Sequence, residues 1–80
     1  MQLGTRWTVG GAPPARLPDA MVAAVREVES QLAATEGLDT SLWRWTLTWL
    51  EGRPIAELDD GTVVRLDPAT GQVVVVEATD

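Results

Sequence analysis

Residues 43–49 read Trp-Arg-Trp-Thr-Leu-Thr-Trp, so large apolar side chains alternate with polar ones. A two-residue period is that of a β-strand, in which successive side chains point to opposite faces of a sheet. One face of this strand therefore carries Trp43, Trp45, Leu47 and Trp49. Because indole rings are the largest apolar groups that a small domain can bury, we expect the element covering this row to form the core with it.

An amphipathic helix is predicted upstream of this strand. Five apolar residues share one helical face, namely Met21, Ala24, Val25, Val28 and Leu32. Pro18 and Asp19 suit a first turn and Gly37 suits an end, which gives about five turns. The remaining face is predicted to be a solvated surface and holds Arg26, Glu27, Glu29, Ser30 and Gln31. The apolar face has the width needed to cover the tryptophan row.

Four strands are predicted from Leu42 onward, separated by turns over residues 51–52, 59–61 and 68–71, each with glycine last. A one-residue register slip would move a whole strand to the other face, so the turn lengths can be tested against the side-chain pattern. The first turn pairs Leu47 with Ala56. A three-residue second turn with a bulge at Gly61 pairs Ala56 with Val64, whereas a two-residue turn would bring an arginine onto the tryptophan face.

The last predicted strand is apolar on both faces: Val73 and Val75 face the tryptophan side, and Val74 and Val76 face the other. A strand of this kind is usually interior to a sheet. We therefore expect a short N-terminal strand around Trp7 to pair beside it. Trp7 is also predicted to be the indole that stays partly exposed.

Together these patterns predict an α+β fold, a mainly antiparallel five-stranded sheet with one amphipathic helix packed on one face. A short N-terminal strand comes first and a four-strand meander follows the helix. We expect residues 1–80 to form a single small domain, in which the Gly/Pro-rich residues 10–17 connect the first strand to the helix.

Composition argues against catalysis. The 80 residues include neither cysteine nor histidine, which removes thiolate chemistry, the usual near-neutral base and the commonest metal ligands. The adjacent carboxylates of Asp59 and Asp60 fall in a predicted turn, where aspartate bonds to nearby backbone. We expect no enzymatic activity, no cofactor and no metal.

The charge balance favours a protein partner. A net charge of -6 and a pI near 4.3 argue against binding nucleic acid. No apolar run approaches the length of a membrane span and residues 1–8 have no apolar signal core, so we expect a cytoplasmic protein with no membrane contact. All six basic residues are arginine, and lysine, asparagine, phenylalanine and tyrosine are absent, a usage expected of a GC-rich bacterial genome.

The sheet face opposite the helix is the candidate interface. Its predicted members mix apolar side chains with arginine, as protein interfaces do, and are Leu42, Arg44, Leu50, Ile55, Val63, Arg65, Val74 and Val76. The function predicted is a small acidic interaction module, either a homodimer, the commonest closed assembly, or an accessory or regulatory subunit. The alternative for this face is that the last strands or the termini fold over it.

Two other functions stay open. A small-ligand binder would use a tryptophan-lined pocket between helix and sheet. An acidic inhibitor or immunity-type protein would bind a basic partner. The arginines Arg44, Arg53 and Arg65 are expected to form ion pairs with Glu57 and Asp59 rather than to hold an anion.

Overall fold

The computed structural model describes residues 4–77. Its elements are β1 (Thr5–Thr8), α1 (Asp19–Ala33), β2 (Arg44–Leu50), β3 (Arg53–Leu58), β4 (Val63–Leu66) and β5 (Val73–Val76). The strands form one sheet in the order β1-β2-β3-β4-β5, and every neighbouring pair is antiparallel. The predicted α+β fold is confirmed.

The hairpin registers agree with those predicted from turn length. Leu47 pairs with Ala56, and Ala56 pairs with Val64. Gly61 has a φ of 100°, a conformation that glycine adopts without steric cost, and this lets the second turn contain three residues. Because Val64 pairs with Val75, the helix-side face continues unbroken from β2 to β5.

The predicted position of the N-terminal strand is wrong. β1 pairs with β2, with Trp7 opposite Trp45, and does not lie beside β5. The two indoles stack with ring centroids 6.1 Å apart and ring planes inclined by 14°. Trp7 is consequently only 8% exposed, so the prediction that it stays partly exposed is also wrong. Stacking and burying an indole contributes more than covering the valines of β5 would, and β5 is left at the edge.

Helix α1 begins where its signals predict and ends earlier. The carbonyl oxygen of Pro18 accepts hydrogen bonds from the backbone N–H groups of Met21 and Val22, each at 2.9 Å. The helix stops at Ala33 because the N–H of Thr35 donates to Leu32, three residues back, and closes the last turn. Gly37 lies in the turn that follows, so its predicted role as the stop is wrong and α1 has about four turns.

The core lies between α1 and the tryptophan face of the sheet, as predicted. Ten apolar residues form it: Trp7, Leu17, Met21, Val25, Val28, Trp45, Leu47, Ala56, Leu58 and Val64. Trp43 and Trp49, at the two ends of the row, are partly buried against this cluster. The helix contacts β4 and β5 directly, which leaves the other face of the sheet on the far side of the molecule from α1.

Candidate interaction surfaces

The helix-free face collects most of the predicted interface residues. Strand alternation and the observed pairing place seven of them on it: Arg44, Leu50, Ile55, Val63, Arg65, Val74 and Val76. Leu42 is 86% exposed and lies in the turn before β2, outside the strands that form the face. Seven of the eight predicted residues thus lie on this face, whereas Arg6 and Thr8, which β1 adds to it, were not predicted.

Two rows of cross-strand neighbours run over this face. One row contains Thr46, Glu57, Val63 and Val76, and the next contains Thr48, Ile55, Arg65 and Val74. The apolar side chains therefore gather on β3, β4 and β5, and the threonines lie on β2. Val76 is 46% exposed, and Leu50 at the hairpin end is 62% exposed. This half of the face, defined by Ile55, Val63, Val74 and Val76, is called the apolar patch.

Charge on this face is mainly positive. Four of the six arginines lie on it, namely Arg6, Arg44, Arg53 and Arg65. The ion pairs predicted for them are wrong, because within residues 4–77 the one ion pair joins Arg26 and Glu29 at 3.9 Å. Asp59 instead accepts a hydrogen bond from the backbone N–H of Arg44 at 2.9 Å. Within the described residues, the arginine side chains of this face therefore have no ion-pair partner.

The prediction that the turn carboxylates bond to nearby backbone is confirmed for Asp60 and wrong for Asp59, whose partner Arg44 lies 15 residues away on β2. Asp60 accepts from the N–H of Thr62 at 2.8 Å. Asp39 accepts from the N–H of Ser41 at 3.0 Å, and that bond holds the pKa of the Asp39 carboxyl below its usual value. Within the described part of the chain, no cluster of three acidic, histidine or cysteine side chains is placed to hold a metal ion.

The predicted position of Glu29 on the solvent-facing side of α1 is wrong. It was expected on the solvated face of α1, yet its side chain is only 10% exposed. One carboxylate oxygen, Oε2, accepts from Trp45 Nε1 at 3.0 Å and from the Gly10 N–H at 2.9 Å. The signal that could have found it is position: Glu29 follows Val25 by four residues and so borders the apolar stripe, opposite an indole N–H that needs an acceptor.

A groove separates α1 from the edge strand β5. It has a volume of about 740 Å³ and is lined by Ala24, Glu27, Val28, Gln31, Val73, Val75, Val76 and Glu77. A smaller cavity of about 270 Å³ adjoins it and reaches Asp60 and Thr62. Neither is lined by tryptophan. The alternative function, small-ligand binding, needs a tryptophan-lined pocket between helix and sheet. Trp7 and Trp45 stack on each other and fill that space.

No family model matches the chain, and no curated protein or solved structure is significantly similar to it. Among residues 4–77, α1 is the one helix, and it lacks the length and apolar character of a membrane-crossing segment.

Proposed function

We propose that this chain is a small acidic, non-enzymatic protein-interaction module that forms a homodimer through the helix-free face of its sheet. The observation that carries the proposal is the apolar patch, on the far side of the sheet from α1. Val76 at its edge is 46% exposed, and Ile55, Val63 and Val74 are half-buried. Apolar side chains grouped in this way mark protein contacts more often than free surface.

The charges within the apolar patch favour a second copy as the partner. Glu57 pairs with Val63, and Arg65 lies two residues further along β4, so the two charges occupy diagonal positions among the apolar side chains. In a two-fold contact, residue i of one copy meets residue j of the other and the reverse also holds. Glu57 of each copy can therefore meet Arg65 of the other, while the valines and isoleucine pack between them.

A charge placed in the apolar patch is expected to dissociate the dimer. Val74→Glu and Ile55→Glu should each raise the dimer dissociation constant about tenfold or more, because an unpaired carboxylate would be buried at the contact. Sedimentation velocity over a concentration series measures this. Ser30→Glu makes the same charge change on the exposed surface of α1, on the other side of the sheet, and should leave the dissociation constant unchanged.

Charge reversal tests the pairing itself. Arg65→Glu and Glu57→Arg should each weaken the dimer, and the double variant should recover most of the loss. A wild-type chain that stays monomeric at all concentrations, with variants that behave identically, would show that the homodimer proposal is wrong.

We also propose a cytoplasmic location in a bacterium, supported by the arginine-only basic composition typical of GC-rich genomes. One of the two other functions, binding of a basic partner protein, is specifically supported by the groove beside β5.

A further inference from the structure

The outer edge of β5 has free backbone hydrogen-bonding groups. The N–H of Asp67 donates to the carbonyl of Gln72 at 2.7 Å, and this bond begins the β4–β5 ladder at the turn, at a hydrogen-bonding position. Such positions alternate along an antiparallel ladder, which places the bonds from β5 to β4 at Val74 and Val76. The N–H and C=O groups of Val73 and Val75 therefore point away from β4. Within residues 4–77 no strand pairs with this edge.

Within the part of the chain that the structure describes, this edge lacks the usual protection. Sheet edges are normally guarded by charged side chains, proline, a bulge or a covering segment. β5 consists of four consecutive valines, of which Val75 and Val76 are 41% and 46% exposed. The opposite edge strand, β1, carries Arg6 at its centre. Of the two edges, β5 is the one suited to accept another strand.

The groove along β5 determines which strand fits. Its floor is apolar, formed by Ala24, Val28, Val73 and Val75, and the carboxylates Glu27 and Glu77 lie on its rim. Asp60 adds a third carboxylate in the adjoining cavity, and neither cavity is lined by an arginine. A strand added beside β5 would project alternate side chains towards this groove. Long basic side chains suit it, because their stems pack on the valines while their charged ends reach the carboxylates.

We propose that β5 binds an extended segment of a partner protein that carries basic residues on the strand face turned towards the groove, by adding it as a sixth strand. A second copy of this chain fits less well, because its own β5 would bring a further Glu77 to an acidic rim and contribute no basic side chain. The proposed strand site uses the outer edge of β5 and the groove beside α1, whereas the proposed dimer uses the helix-free face. Val76 borders both surfaces, so the strand site is tested in a variant that does not dimerise.

Synthetic peptides test this site directly. A fluorescein-labelled peptide KVTVKVT should bind saturably by fluorescence anisotropy, and its acidic counterpart EVTVEVT should bind at least about tenfold more weakly. N-methylation of alternate amides separates strand addition from simple charge attraction. Methylating the amides that face β5 should abolish binding, and methylating the other set should leave it intact. The Ile55→Glu variant serves as the host, so that dimer formation does not compete.

Two variants of the chain locate the site. Glu27→Lys should weaken peptide binding about tenfold, whereas Glu51→Lys, the same charge change in the distant β2–β3 turn, should not. Val75→Pro removes an outward N–H without breaking a bond to β4 and should abolish binding. If that variant does not fold, Glu27→Lys and the methylated peptides still decide the result.

Three outcomes would overturn the proposal. The first is no binding of KVTVKVT, and the second is equal binding of both methylated peptides. The third is a wild-type dimer that Val75→Pro dissociates and Ile55→Glu does not, which would assign the edge to a second copy.

Discussion

Trp45→Ala is expected to lower the free energy of unfolding by about 3–5 kcal/mol. Trp45 is completely buried, and its ring stacks on Trp7 at 6.1 Å. Removing it leaves a cavity at the centre of the core and deprives Glu29 of one of its two donors. A domain of 80 residues has a total stability of about 4–12 kcal/mol. Much of the variant should therefore be unfolded at 37 °C.

Urea unfolding followed by far-ultraviolet circular dichroism measures this loss independently of the indole signal. Trp49→Ala is the matched control, since Trp49 lies on the same face of β2 but is only partly buried, and its loss should be clearly smaller. Leu50→Ala, at a side chain 62% exposed, should change stability by less than about 0.5 kcal/mol. Equal losses at Trp45 and Trp49 would show that α1 does not cover the centre of the row.

The meander could be predicted because the residues that determine its strand pairing lie close together in the sequence. Each turn joins strands that follow one another in sequence, so its length and the apolar alternation fix the register together. The pairing of Ala56 with Val64 follows from the three-residue turn that Gly61 permits. The same alternation divided the two sheet faces correctly and collected the residues of the apolar patch.

The position of β1 could not be predicted in this way. Residues 9–43 separate β1 from β2, and nothing in so long a connection selects one sheet edge over the other. Four consecutive valines predict a strand that is covered on both faces. In the structure α1 covers one face only in part, and the stacking of Trp7 on Trp45 decides the edge for β1. The apolar run of β5 therefore indicates an open edge, which is the basis of the proposed strand site.

Glu29 shows a second limit of pattern analysis. Helical periodicity predicts burial from hydropathy alone. It therefore predicts that a carboxylate faces solvent, even where a buried hydrogen-bond donor lies opposite it. The bond from Trp45 Nε1 spans 16 residues and depends on the angle at which α1 crosses the sheet. Trp7 Nε1, by contrast, is buried without a partner within the described residues. No sequence pattern distinguishes these two indoles.

Glu29→Ala is expected to destabilise the domain by about 1.5–3 kcal/mol, the second largest effect of a single change considered for this chain. The Oε2 atom of Glu29 holds two donors from different elements, the Trp45 indole at 3.0 Å and the Gly10 backbone at 2.9 Å. Its removal leaves a buried N–H without an acceptor and frees the connector between β1 and α1. Urea unfolding measures the loss, and amide hydrogen exchange at Gly10 should accelerate.

A double-mutant cycle with Trp45→Phe isolates the bond between the two side chains. Phenylalanine keeps an aromatic ring in the core but has no N–H, so Glu29→Ala should cost about 1 kcal/mol less in that background. Glu27→Ala, two residues earlier on the exposed surface of α1, should change stability by less than about 0.5 kcal/mol. If Glu29→Ala costs the same with tryptophan or phenylalanine at position 45, its contribution comes from Gly10 alone, and the carboxylate does not tie the helix to the tryptophan row.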